Sequence, residues 1–166
     1  AYLRAILNRS EWRQYQCKNT VRYSIAFHQD PIPADCQLIN SIGGGPRLLP
    51  SLTAETEAFI TKQNGQMIRD ALGYNRRNAR TAIGITEHHL IWVMIAQKPE
   101  HPKDSGMSLP ELANFMKSLG AKEALNLDGG SSSSLYYQGK TFHGKVDQEG
   151  KTIKRPVKSV LVLLDN

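Results

Sequence analysis

The stretch SLPELANFMKSLGAKEALNLDGG, residues 108–130, predicts a helix followed directly by a strand. Ser108 and Glu111 have the spacing of a capping box, in which each side chain satisfies a free amide at the start of a helix. Apolar residues then recur three and four positions apart, at Leu112, Phe115, Met116 and Leu119. Gly120 is a typical residue just past a helix end. We therefore predict a helix over Leu109–Leu119.

The strand predicted after this helix, Glu123–Leu127, ends in polar residues. Because side chains two positions apart in a strand point to the same face, Asn126 and Asp128 are expected to converge on one ligand while Leu125 and Leu127 face the core. Gly129 and Gly130 then free the backbone for a turn. The pattern predicts a carboxylate and an amide at a strand end.

Further elements follow on both sides of this stretch. Strands are predicted at Arg22–Phe27, Thr81–Thr86, Leu90–Ala96, Leu135–Gln138, Thr141–His143 and Val157–Leu164. A helix is predicted over Ser51–Lys62, with Glu55 and Glu57 in its early turns, and a short one within residues 1–20. Hairpins outnumber strand-helix-strand units, which favours an α+β domain with a mixed, mostly antiparallel sheet and two or three helices. The 166 residues are expected to form one domain.

Composition narrows the classes of partner. The net charge of +6 suits an anionic partner, or it serves solubility alone, and the sequence leaves both open. Nucleic acid is not expected, because the basic residues are scattered and aromatic residues are only 7% of the chain. No apolar run is long enough to span a bilayer. Oligomeric state cannot be predicted from these patterns.

The two cysteines, Cys17 and Cys36, indicate neither a zinc site nor a disulfide-rich scaffold, since no CxxC and no paired histidine spacing accompanies them. One disulfide between them stays open. The chain starts at Ala1 without an initiator Met, so we expect a processed or truncated piece whose compartment cannot be read from a signal segment.

Three polar segments, each at the end of a predicted strand, could carry chemistry. They are the Gly43–Pro46 loop, Arg80–Thr81, and Asn126–Ser131. Glycine loops let backbone amides approach an anion, and an arginine offers a fork to phosphate oxygens. Each segment alone is weak, because glycine turns and strand-flanking arginines are common structural features.

Together these segments resemble the phosphodiester glycosidase family. NLDGGSS at Asn126–Ser132, RTAIG at Arg80–Gly84 and GGPRLL at Gly44–Leu49 are similar to family motifs, and the helix Leu109–Leu119 followed by Gly120-Ala121 resembles another. The resemblance covers the chain from about Leu38 onward, and residues 1–37 match weakly. One departure is Ser131, where the family usually has glycine; a positive φ at that position would strain the turn.

The resemblance implies hydrolysis of a sugar 1-phosphodiester, a small-molecule or glycan substrate, in an extracytoplasmic compartment. Asp128 would be the base or the nucleophile at the anomeric carbon. Arg80 and the amides of Gly44 and Gly45 would hold the phosphate, with Arg47 as a second candidate. Asn126 would orient Asp128 or sugar hydroxyls, and the remaining binding positions are Thr81, Gly129, Gly130, Ser131 and Ser132.

Several alternatives stay open. Asp128 with Asn126 could instead hold Ca²⁺ or Mg²⁺, although no cofactor is required and no cluster of further acids is evident. Second carboxylates could come from Asp104, Glu123 or Asp147. The serines are not expected to be nucleophiles, because no Gly-x-Ser-x-Gly elbow surrounds them. The alternative function is a non-catalytic binding module for anionic glycans or cell-wall polymers.

Overall fold

The computed structural model describes residues 2–163, in which two α-helices and eleven β-strands follow one another: α1 (Tyr2–Leu7), β1 (Ser10–Cys17), β2 (Thr20–Phe27), β3 (Cys36–Gly43), β4 (Arg47–Leu49), β5 (Ile60–Gln63), β6 (Gln66–Asp70), β7 (Arg80–Ile85), β8 (Leu90–Ile95), α2 (Leu109–Ser118), β9 (Glu123–Asn126), β10 (Ser134–Tyr137) and β11 (Lys140–His143). Every strand pairing within this range is antiparallel. The predicted α+β class with a mostly antiparallel sheet is confirmed. No helix among residues 2–163 is long and apolar enough to cross a membrane.

A four-stranded sheet in the order β4-β9-β7-β8 forms the middle layer. On one face it packs against α2, whose buried Leu112 and Met116 contact Ala82 and Ala124 of the sheet in one core cluster. The approach is close, since a Cβ on Gly84 would lie 2.6 Å from Cε of Met116. The predicted capping box starts this helix: Ser108 N donates to Glu111 Oε2 (2.8 Å), and Glu111 N donates to Ser108 Oγ (3.3 Å).

A three-stranded sheet in the order β2-β1-β3 covers the other face of the middle layer. Trp12 and Ile25 from this sheet pack with Ile83 and Leu125, which alternate along β7 and β9 with the residues that face α2. A disulfide between Cys17 and Cys36 joins the end of β1 to the start of β3, so the bond that the sequence left open is formed.

The helix predicted over Ser51–Lys62 is wrong. Residues 54–58 form turns, and residues 60–62 belong to the β5–β6 hairpin. The physical reason is Glu57, whose fully buried carboxylate draws this segment against β1 instead of leaving it on an exposed helix face. Asn64 and Gly65, with φ of 51° and 77°, form the hairpin turn, so the glycine does not end a helix.

Two further expectations differ from the structure. Residues 157–163 of the predicted strand Val157–Leu164 form no strand, and Leu164 lies outside the described residues. Branched side chains give that segment strand propensity, but a strand also needs a paired neighbour. Conversely, β1 was not predicted. Its Glu11 and Arg13 are buried and paired at 2.6 Å, so an interior strand has the sequence of a polar segment.

Candidate functional site

The glycine loop and the end of β9 meet at one end of the middle sheet. Gly45 N donates to the carbonyl oxygen of Asn126 (2.7 Å), and Asn126 N donates to that of Pro46 (3.1 Å). The side-chain Nδ2 of Asn126 donates to the carbonyl oxygen of Gly45 at 2.8 Å. Two of the three predicted polar segments are therefore held together by three hydrogen bonds.

Gly44 and Gly45 are required by close packing. A Cβ on Gly44 would lie 2.7 Å from the Asn126 carbonyl oxygen, and one on Gly45, whose φ is +122°, would lie 2.6 Å from the Phe59 ring. Gly44 N donates to the Ser10 carbonyl oxygen (3.1 Å), while Gly45 N is bound to Asn126. Contrary to the prediction, neither amide hydrogen is free for a phosphate oxygen. The loop serves to place Asn126.

Glu57 lies beneath this loop, and sequence reasoning missed its role. Its Oε2 would be 2.7 Å from a Cβ on Gly45. The carboxylate is fully buried and accepts four hydrogen bonds, from Ser10 N (2.8 Å), Ser10 Oγ (2.9 Å), Arg47 N (2.8 Å) and Thr53 Oγ1. A buried charge needs such partners to offset its desolvation. Glu57 thus joins β1, the glycine loop and residues 53–57, and nothing in the sequence distinguished it from Glu55.

Arg80 opens β7 but directs its guanidinium to the protein backbone. It is 4% exposed and donates to four carbonyl oxygens, those of Met107 (from Nε, 3.0 Å), Leu72 (from Nη1, 3.1 Å), Gly73 (from Nη2, 2.8 Å) and Arg76 (from Nη2, 3.0 Å). Burial lowers the pKa of Arg80, and the charge of Asp70 acts in the opposite direction. With four of its five N–H groups engaged, Arg80 chiefly fixes the loop at residues 72–76.

The DGG turn lies against the start of β7. Gly130 N donates to the Ala79 carbonyl oxygen (2.8 Å), and a Cβ on Gly129 would lie 3.6 Å from Cα of Arg80. Asp128 is exposed here, whereas Asn126 is 3% exposed and its Oδ1 has no partner within the described range. The expected strand alternation between Asn126 and Asp128 fails because β9 ends at Asn126.

Ser131 is accommodated without strain. The positive φ of this turn, +59°, falls on Gly130, while Ser131 occupies the short 3-10 helix Gly130–Ser132 and is not among the residues with positive φ. Its Oγ accepts a hydrogen bond from Arg155 Nη1 at 3.3 Å. Thr81 Oγ1 donates to the buried Ser133 Oγ at 3.2 Å, which ties β7 to the residues after the turn.

Lys145 brings a second cation to this turn, and it was not predicted. Its Nζ donates to Asn78 Oδ1 at 2.8 Å, and Asn78 Nδ2 lies 3.8 Å from the point that a Cβ on Gly130 would occupy. Burial lowers the pKa of Lys145, and the nearby positive charge of Arg80 lowers it further. A lone lysine after a hairpin carries no sequence signal. The adjacent Gly144 carries no sequence signal either, although a Cβ at this position would lie 2.7 Å from Ser133 Cβ.

The other predicted groups lie apart from this turn or are already engaged. The Arg47 guanidinium lies over the Phe27 ring, 4.8 Å from its centroid. Glu123 Oε2 accepts a hydrogen bond from Ile25 N (2.6 Å), and Asp147 Oδ1 accepts from two amides of its own turn, so neither carboxylate is unengaged. Within residues 2–163, no three His, Cys, Asp or Glu side chains are grouped to hold a metal, and a cation at Asp128 stays a prediction.

Comparison with known proteins agrees with these motifs. The family model described as phosphodiester glycosidase matches residues 5–164. The chain belongs to this family. Among curated proteins, none matches the chain significantly.

Two solved structures show the same fold. The catalytic domain of zebrafish N-acetylglucosamine-1-phosphodiester alpha-N-acetylglucosaminidase, auto-inhibited by its pro-peptide, is 17% identical with a TM-score of 0.51, over 91% of this chain and 48% of that chain. A protein from Burkholderia pseudomallei K96243, provisionally described as exported, is 25% identical with a TM-score of 0.51, over 81% of this chain and 28% of its own. This chain spans less than half of each.

Proposed function

We propose that the protein hydrolyses the glycosidic bond of a sugar 1-phosphodiester and releases the sugar and a phosphomonoester. Family membership supports a hydrolase of this class, and the zebrafish relative is named for such a bond. The observation that carries the proposal is Lys145 beside the turn that presents Asp128: its Nζ donates to Asn78 Oδ1 at 2.8 Å, and Asn78 Nδ2 lies 3.8 Å from the point that a Cβ on Gly130 would occupy. Lys145 forms no ion pair with an acid among residues 2–163, so its charge is available to an anionic group that binds there.

A phosphodiester suits a site with one accessible carboxylate. Ordinary glycoside hydrolysis uses two carboxyl groups, one of which protonates the leaving oxygen. A phosphate leaves as an anion without that proton, so a cation can replace the acid. Lys145 would stabilise the phosphate oxygens as the bond between the anomeric carbon and oxygen breaks, with the electron pair leaving on the phosphate.

Asp128 fits either of two roles. As a base, it takes a proton from water while the water oxygen bonds to the anomeric carbon. As a nucleophile, it forms a glycosyl ester that water then hydrolyses. In both cases the exposed carboxylate must reach the sugar from the side opposite the phosphate. Asn126 and Arg80 act as positioning residues, because the amide anchors the glycine loop and the guanidinium anchors residues 72–76.

An extracytoplasmic compartment is part of this proposal. The Cys17–Cys36 disulfide supports it, since such bonds persist mainly in oxidising compartments. The exported description of the Burkholderia relative agrees with that placement.

The decisive assay offers methyl diesters of hexose and N-acetylhexosamine 1-phosphates and measures free sugar. We expect turnover by the wild type and a loss of about 100-fold or more in Asp128→Asn, in line with the contribution of a positioned base. Asp35→Asn is the matched control, because Asp35 is an exposed carboxylate beside the disulfide. Unchanged turnover in Asp128→Asn would remove Asp128 from the mechanism, and no turnover of any diester would refute the activity.

A binding module for anionic glycans is the second candidate. It is favoured by the engaged state of the Gly44 and Gly45 amides and of most Arg80 donors, which leaves fewer groups for a transition state than expected. Saturable binding of a diester, with no sugar released after long incubation, would select this function over hydrolysis.

A further inference from the structure

A shallow depression adjoins the DGG turn on the side of the C-terminal segment. It is lined by Thr141 and His143 of β11 and by Lys154, Arg155 and Pro156, and its volume is about 600 Å³. Arg155 Nη1 donates to Ser131 Oγ (3.3 Å), so one wall of the depression contacts the turn that carries Asp128. Volumes of this size are typical of small-molecule sites, although this one is open on one side.

The lining of this depression is cationic and has no carboxylate. Neither Lys154 nor Arg155 forms an ion pair with an acid in the part of the chain that is described. Arg155 uses one N–H group on Ser131, so its others can form the two parallel hydrogen bonds that a phosphate accepts. Thr141 adds a hydroxyl group to the lining. These groups together suit an anion.

The connection to the turn depends on Ser131, whose Oγ accepts the Arg155 hydrogen bond. A glycine at this position would have no side-chain oxygen to accept it. The hydroxyl thereby holds Arg155 at the boundary between the DGG turn and the depression. A substrate phosphate at Lys145 would lie on one side of this boundary, and its alcohol component could extend into the depression.

We propose that the depression is an aglycone subsite that recognises a second anionic group, such as a further phosphate, on the alcohol component of the diester. The inference rests on the proposed hydrolysis and specifies its substrate class as an aglycone that carries negative charge of its own. The open side allows a chain of repeating phosphates to leave the site without being enclosed.

The test uses the sugar whose 1-phosphodiesters the wild type hydrolyses best. It compares two diesters of that sugar 1-phosphate, one with methanol and one with glycerol 3-phosphate as the alcohol component. At low salt, wild-type kcat/KM should be higher for the glycerophosphate ester. Lys154→Gln should lower kcat/KM for that ester about tenfold more than for the methyl ester. Ser131→Gly should also lower the ratio of kcat/KM for the glycerophosphate ester to kcat/KM for the methyl ester. Lys151→Gln is the control, since Lys151 is exposed on the same segment outside the lining.

The outcomes separate the two proposals. If the methyl ester is hydrolysed but the wild type shows no preference, or Lys154→Gln affects both esters equally, the subsite is refuted while the activity stands. If neither ester of any sugar is hydrolysed, the proposed activity is refuted, and the subsite as an aglycone site is refuted with it. A preference that falls in Lys154→Gln and persists in Lys151→Gln supports the subsite.

Discussion

The glycine loop and the DGG turn lie on two sides of Asn126, and they use similar residue types for different purposes. On one side, the glycine loop and Glu57 have their donors and acceptors matched within the protein, and the carboxylate is fully buried. On the other, the DGG turn presents an exposed Asp128, a half-buried Lys145 and an Arg155 with one partner. Glycines and charged groups occur on both sides, so residue type does not distinguish structural support from chemistry. Burial and engaged hydrogen bonds do.

The largest expected effect is on the buried side. Glu57→Ala would remove the acceptor of four hydrogen bonds, those from Ser10 N, Ser10 Oγ, Arg47 N and Thr53 Oγ1, so the free energy of unfolding should fall by about 3–5 kcal/mol. Urea unfolding followed by circular dichroism measures it. Glu55→Ala is the control, because Glu55 forms only an exposed ion pair with Lys62, and should change stability by less than ~0.5 kcal/mol. Equal effects would contradict the assignment of Glu57 as the support of the loop.

A smaller loss is expected from Gly45→Ala. The new Cβ would meet Phe59 at 2.6 Å and would hold φ near +122°, which side chains disfavour. We expect a loss of about 2–3 kcal/mol in unfolding free energy. Gly43→Ala is matched to it, because a Cβ there has no described atom within 4 Å. If both variants were equally stable, the close packing of the loop would be disproved.

At the DGG turn, we expect Lys145 to give the stability of the protein a small dependence on pH. Because folding lowers the pKa of Lys145 below its ordinary value of 10.5, the unfolded chain binds more protons than the folded protein at pH values between the two pKa values. Stability should therefore rise with pH across this window through the Lys145 contribution, and the rise should be absent in Lys145→Met. Sulfate, which does not titrate there, should bind more weakly over the same window as the amine loses its charge. Thermal unfolding with and without sulfate measures both; identical pH profiles for the two proteins would contradict a strained cation at this position.

Patterns with local physical causes were predictable from the sequence. The capping box predicted α2, branched apolar residues and the intervening turn predicted β7 and β8, and the motif order indicated the family. The buried strand β1 was not predictable, because the Arg13 guanidinium of its Glu11–Arg13 pair is satisfied by the carbonyl oxygens of Phe27, His28 and Asp30, which lie 14–17 positions away in the sequence. The same holds for the site: Asn126 and Asp128 stand out locally, whereas Lys145 is placed by tertiary packing, in which the adjacent Gly144 N donates to the Ser133 carbonyl oxygen at 2.8 Å.

The affinity for a non-hydrolysable phosphonate analogue of the sugar 1-phosphodiester, measured by calorimetry at low salt, tests the assignment of the phosphate to Lys145 most directly. Lys145→Gln removes the cation beside the DGG turn, and Arg47→Gln removes one that lies over Phe27 beside the glycine loop. We predict that Lys145→Gln raises Kd about tenfold or more, as expected for one charge-assisted hydrogen bond, while Arg47→Gln changes it by less than about twofold. A tenfold rise in Arg47→Gln with an unchanged Kd in Lys145→Gln would place the phosphate on the wrong side of Asn126 for this account and contradict it.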